Sequence, residues 1–156
     1  VAYPGTETVA QIHSGIRGMV KGVIPLTLKQ LERQGLNPEL ARVYLSPHAK
    51  DFIMDETERS EISELLKDAP EEIRSEFKAY TAENQHGRLT MNLTQFTLHQ
   101  LMRSGVETKH IGVSPIDTFA DASVYSHFNS INAPGTANGR IAIAVGIKPN
   151  RGDTVQ

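Results

Sequence analysis

The stretch Thr8-Val9-Ala10-Gln11-Ile12-His13-Ser14-Gly15-Ile16-Arg17-Gly18 constrains this chain more than any other. Val9 to Ile12 alternates and is β-branched, so it reads as a strand. The pattern breaks at Ser14-Gly15 and resumes with helical spacing. Met19/Val20, Val23/Ile24, Thr27/Leu28 and Leu31 recur at three- and four-residue steps and share one helix face. His13 therefore ends a strand, while Arg17 and Gly18 fall in the first helical turn. Such a junction gathers free backbone N–H groups, a positive dipole end and, here, a cationic side chain. Those features suit an anion or a metal-bound oxygen. Chemistry alone favours a plain structural turn.

With 156 residues, the chain has the length of one domain, and a single domain over residues 1–156 is expected, with 148–156 as a tail. A net charge of −2 gives no electrostatic footprint for nucleic acid, so no nucleic-acid partner is expected. No apolar run approaches the ~20 residues of a membrane span, so no membrane partner is expected. Cysteine is absent, which excludes disulfides and thiolate chemistry within these residues. Nothing reads as a secretion signal, and a cytoplasmic location is expected. The chain opens at Val1 inside a strand-like run, which reads as a fragment or processed product and makes a homo-oligomer or a partner segment plausible.

Along the chain, Pro4-Gly5 should fold Val1–Tyr3 against Val9–Ile12 as a hairpin. Gly22 and Pro25 should kink or restart the first helix, and Gln34-Gly35 should stop it. Asn37-Pro38-Glu39 marks a helical step before an Arg42–Leu45 strand, and residues 47–52 read as a loop. Asp55–Lys67 should be a helix burying Ile62, Leu65 and Leu66. Pro70 should open another helix, with Ile73 and Phe77 inward. Asn92 should cap a helix that stops at Ser104-Gly105. His110–Val113 should be a strand, and Arg140–Ile147 a last strand closing the sheet. Strands and helices interleave without a βαβ rhythm. The expected class is α+β, a mixed β-sheet with helices packed against it.

His13-Ser14-Gly15-Ile16-Arg17-Gly18 resembles the His-Ala-Gly-Trp-Arg-Gly signature of the laccase-domain family, also labelled multicopper polyphenol oxidases. Further motifs follow in the family's order: Asn37-Pro38-Glu39 before a strand, Ser46-Pro47 in a Gly-Pro place, Phe52 in that of an aromatic, and Asn92 where Asp is usual. Gly105-Val106 leading to Val113, and Tyr125-Ser126 followed by Gly139-Arg140-Ile141-Ala142, complete the set. The resemblance spans essentially Val1 to Ile147, the C-terminal two-thirds of a laccase-type domain missing its N-terminal part.

The family resemblance implies an enzyme whose site joins two histidines and a cysteine around zinc or, alternatively, copper. His13 matches one of those histidines, and the other ligands fall upstream of Val1. It also implies purine-nucleoside chemistry, namely phosphorolysis of adenosine and related nucleosides together with deamination. His13 and Arg17 would be catalytic, His13 would be the metal ligand, and Gly15, Gly18, Tyr125 and Arg140 would contact substrate. The expected small-molecule partners are a purine nucleoside and phosphate. Ile16 departs from the signature tryptophan, Lys50 and Ile53 from the loop, and Phe128 from an arginine pair. These departures favour a second reading, a non-catalytic module of the same fold. A copper polyphenol oxidase, the third reading, lacks the His-x-His pairs of a multicopper centre. Among the remaining histidines, His48 and His127 could approach His13, whereas His99 reads as a helix-surface residue. The acidic block 55–64 reads as a solvated face, and Asp117 and Asp121 read as loop caps.

Overall fold

A computed structural model describes residues 1–121, 123–124 and 142–146 of the chain. The opening residues fold back as expected, although they form single bridges instead of full strands. Ala2 bridges antiparallel to both Val9 and Arg42, which ties the N-terminal segment to the start of β1 (Val43–Leu45). The first helical stretch is two helices, α1 (Ile16–Val20) and α2 (Val23–Arg33). Gly22 divides them at φ 75°, a left-handed conformation that side-chain-bearing residues rarely take. Pro25 is the third residue of α2, where its missing N–H leaves no helical bond unmade. Gln100 reinforces the break. Fully buried, it donates from Nε2 to the Met19 carbonyl at 3.1 Å.

Helix α3 (Glu56–Lys67) starts one residue later than expected because Asp55 caps it, and α5 (Leu93–Arg103) follows its expected cap. Asp55 and Glu58 form a reciprocal capping box at α3, with N···O distances of 2.7 and 3.0 Å. Asn92 Oδ1 accepts the Gln95 N–H at 2.8 Å and caps α5. Between them α4 (Glu71–Ala79) begins after Pro70, with Ile73 and Phe77 buried.

The strands differ more from expectation. β1 pairs in parallel with β5 (Ile111–Val113), in the register Val43↔Ile111 and Leu45↔Val113. A separate antiparallel sheet has the order β2-β4-β3, from β2 (Asp51–Ile53), β3 (Thr81–Glu83) and β4 (Leu89–Asn92). The loop expected at 47–52 therefore ends in a strand, and residues 89–92 form a strand before their helix begins. The closing strand expected at 140–147 is not seen over its described part, 142–146, which is neither strand nor helix. The class is nonetheless α+β, with parallel and antiparallel sheets and helices against them.

Two apolar clusters hold these pieces. One joins α1, α3, α4, α5 and the antiparallel sheet through Met19, Val20, Ile62, Ile73, Phe77, Met91 and Phe96. Phe77 and Phe96 meet edge to face, with centroids 6.4 Å apart. The other joins the N-terminal bridge, α2, α5 and β1 through Tyr3, Ile24, Leu28, Leu31, Val43, Leu101 and Val106. Helix α5 belongs to both, with Phe96 in the first and Leu101 in the second. Fixing α1 against this double core sets the position of the residues that precede it.

Candidate functional site

The junction before α1 has His13 exposed, with its imidazole beside Gly15: Nε2 lies 3.6 Å from where a Gly15 Cβ would stand. Gly15 is the N-cap of α1 in extended conformation (φ −75°, ψ 163°), and its carbonyl accepts the Met19 N–H at 2.9 Å. Ile16, Met19 and Val20 turn into the core, which leaves Arg17 exposed and Gly18 partly so. Neither Gly15 nor Gly18 has a positive φ. A Cβ on Gly18 would meet Val23 at 3.5 Å and the His13 carbonyl at 3.9 Å, ordinary contact distances. The fold itself therefore does not require either residue to be glycine. Ser14 Oγ, between His13 and Gly15, is shielded from solvent and has no hydrogen-bond partner among the described residues.

Arg17 does not point into open solvent. Its Nε donates to Glu61 Oε2 of α3 at 3.1 Å, and Nη2 donates to the same oxygen. The Glu61 hydrogen bond, and then its charge, raise the Arg17 pKa above its ordinary value, with the charge of Glu58 adding a smaller push. The guanidinium is thus permanently cationic and held across the α1–α3 seam. Sequence reading placed Glu61 in a solvated acidic block. The pair spans 44 residues of chain, and no local pattern announces it.

Comparison with known proteins supplies the family. The sequence matches the family described as multi-copper polyphenol oxidoreductase laccase over residues 1–148. The chain belongs to this laccase family. Its fold is similar to the crystal structure of the Bacillus licheniformis hypothetical protein YfiH, with a TM-score of 0.58 and 18% sequence identity. The similarity covers 76% of this chain and 43% of that one, so the chain spans less than half of YfiH. Comparison with curated proteins yields no match.

Against the laccase-family signature, the departure at Ile16 has a packing reason. Ile16 lies 7% exposed in the first core cluster, where it serves as a hydrophobic anchor for α1. The family's name carries an association with copper, and the residues described here fit a metal poorly. Among them, no group of three or more His, Asp or Glu side chains could hold an ion. A tetrahedral site needs four donors, and His13 is one. His48 brings no second donor, because both ring nitrogens are engaged: Nδ1 with the Ser46 carbonyl at 2.7 Å and Nε2 with Thr94 Oγ1 at 2.9 Å. Further donors would have to come from outside the described residues.

Of the expected site residues, the structure brings His13, Gly15 and Gly18 together and turns Arg17 towards α3. Tyr125 and Arg140, with His127 and Phe128, lie outside the described residues. Asp117 and Asp121 act as caps, accepting the Phe119 and Ser123 N–H groups at 2.9 Å each. A groove of about 340 Å³ beside the start of α3, lined by Met54, Asp55, Arg59, His86, Arg88 and Leu89 among others, includes none of the expected site residues. His99, read as a surface residue, instead links α4 to α5. Its Nδ1 lies 2.8 Å from the Tyr80 hydroxyl and its Nε2 3.5 Å from the buried carboxylate of Glu76.

Proposed function

We propose that the chain works on purine nucleosides, carrying out phosphorolysis and deamination of adenosine-type substrates at the junction before α1. The observation that carries this reading is Gly18, the second glycine beside His13. Gly18 sits inside a helix, where glycine costs about 1 kcal/mol relative to alanine. Neither its backbone angles nor its neighbours demand the exchange. Gly15 serves as the N-cap of α1, whereas a ligand approaching the α1 surface closely gives Gly18 a purpose that the fold does not.

In phosphorolysis, an oxygen of hydrogen phosphate bonds to C1′ of the ribose as the C1′–N bond breaks. The electron pair leaves with the purine. His13 gives the departing base a proton and recovers one from the hydrogen phosphate, yielding free base and ribose 1-phosphate. Arg17 offsets the phosphate charge with planar, paired N–H donors. In deamination the same imidazole takes a proton from the water that adds to C6 and passes it to the departing ammonia. His13 bears no hydrogen bond to another described residue, which leaves its ring nitrogens available for this traffic. Zinc or copper could join His13 only with further donors from outside the described residues.

A second reading, a non-catalytic module, is favoured by one observation, the engagement of Arg17 by Glu61. Incubation with adenosine and phosphate separates the two. Adenine with ribose 1-phosphate, or inosine, formed by the wild type and lost in His13→Ala, is the expected outcome. Equal traces from both proteins would leave the module reading standing.

A further inference from the structure

We propose that Glu61 is a built-in competitor for the oxyanion at Arg17, an ion-pair latch across α1 and α3 that a phosphate group must open. This rests on the reading that places a phosphate at Arg17. Glu61 Oε2 accepts from both Nε and Nη2, so one edge of the guanidinium fork is filled by a single carboxylate oxygen. That edge is the geometry a phosphate oxygen pair would take. The pair is accessible, with Arg17 56% and Glu61 49% exposed at the side chain. Exposed pairs of this kind shift an equilibrium by about fivefold or less, so a dianion with more acceptors can displace the carboxylate.

The surroundings make the competition matter. Glu58 also acts on Arg17 through its charge, and its carboxylate is held in place by the Asp55 N–H. A phosphate arriving with Glu61 seated meets two carboxylates around one guanidinium. With Glu61 swung aside, it meets a cation and one carboxylate. Helix α3 need not move for this, because Ile62 anchors it in the core while the Glu61 side chain is half exposed at the surface. The latch lowers the affinity of any anion at Arg17 by the same modest factor.

Titration calorimetry with inorganic phosphate at low ionic strength tests the latch, using wild type, Glu61→Gln, Glu61→Asp and Arg17→Ala. The expected result is roughly threefold to fivefold tighter binding in Glu61→Gln, near-wild-type binding in Glu61→Asp, and loss of binding in Arg17→Ala. In the wild type, the NMR signal of the Arg17 Nε–H should move as phosphate is added. Equal affinity in wild type and Glu61→Gln, with loss in Arg17→Ala, overturns the latch and leaves phosphate at Arg17 standing. If no protein binds phosphate and the Nε–H signal stays fixed, the latch and the phosphate reading fall together. Should Glu61→Gln fail to fold, the wild-type signal decides: a shift away from the carboxylate-bound position supports displacement, and its absence overturns it.

Discussion

The seam between α4 and α5 and the seam between α1 and α3 each carry a glutamate–arginine pair, yet the two pairs have opposite surroundings. Glu76 of α4 is 6% exposed, and Arg103 Nε of α5 lies 2.6 Å from its Oε1. The contact is one of charge, because neither carboxylate oxygen of Glu76 has a well-aligned hydrogen bond. Glu61 and Arg17 are about half exposed and are joined by two hydrogen bonds to one oxygen. A charge taken out of water depends on its partner, since the desolvation cost remains when the partner goes. A charge left in water can exchange partners at little cost. The first seam is therefore built to hold and the second is able to yield, and the candidate site lies beside the one that yields.

The sharpest way to break this contrast is to remove the buried countercharge. Arg103→Met should destabilise the protein by about 3 kcal/mol, because Glu76 is left buried without its arginine partner. Urea unfolding measures it, and the double variant Glu76→Met/Arg103→Met should recover most of the loss. A double variant as unstable as the single one would show that packing, not charge, holds that seam. His99 and Tyr80 complete the cluster, so Tyr80→Phe should weaken it further by removing the partner of His99 Nδ1.

His13→Ala comes next in size and touches activity alone. Loss of a general acid–base group should lower turnover of adenosine with phosphate by about a hundredfold or more. The urea midpoint should stay at the wild-type value, since His13 is exposed. A fall in stability with intact turnover would assign His13 to the fold and empty the second seam of its function.

How much of this was legible beforehand follows the range of each interaction. The cap at Asn92, the break at Gly22 and the buried faces of α3 and α4 depend on residues within four positions, and the sequence announces them. The strands β2, β3 and β4 have three or four residues each and exist through pairing across up to 41 positions, as Asp51 with Asn92. Leu89-Thr90-Met91 alternates correctly, but the Asn92 cap that follows drew the reading towards a helix. In the candidate site, the helix opening after Ser14-Gly15 was local and legible, whereas the strand expected to end at His13 is only a single bridge at Val9, four residues earlier. Glu61, the partner that defines the state of Arg17, was not, because α3 reaches α1 only in the folded chain.

Gly18→Ala sharpens the comparison from the other side. Alanine should stabilise α1 by about 0.5–1 kcal/mol, because its Cβ meets Val23 only at van der Waals distance. Phosphate and nucleoside binding should weaken in the same variant if ligand occupies the surface of α1. A more stable protein with unchanged ligand affinity would leave Gly18 without the role proposed for it.

The smallest effect belongs to a third pair, on the outer face of α4. Arg74 Nε donates to Glu71 Oε2 at 3.0 Å, and that hydrogen bond, followed by the Arg74 charge and the Ser75 hydroxyl, holds the Glu71 carboxyl below its usual range. A carboxyl depressed in the folded state favours folding above its unfolded value, and that contribution is lost as pH falls through the folded one. Arg74→Gln should therefore lower the melting temperature slightly at pH 7, with the difference shrinking once Glu71 is protonated in acid. Some of the difference should survive, because Arg74 Nη1 also donates to the Lys67 carbonyl at 3.3 Å, a contact indifferent to that proton. Glu71 and Glu76 lie five residues apart on one helix, so the two variants compare exposure with the helix held constant. A loss in Arg74→Gln as large as that in Arg103→Met would mean that burial does not separate strong pairs from exchangeable ones in this molecule, and the distinction between its two seams would fail with it.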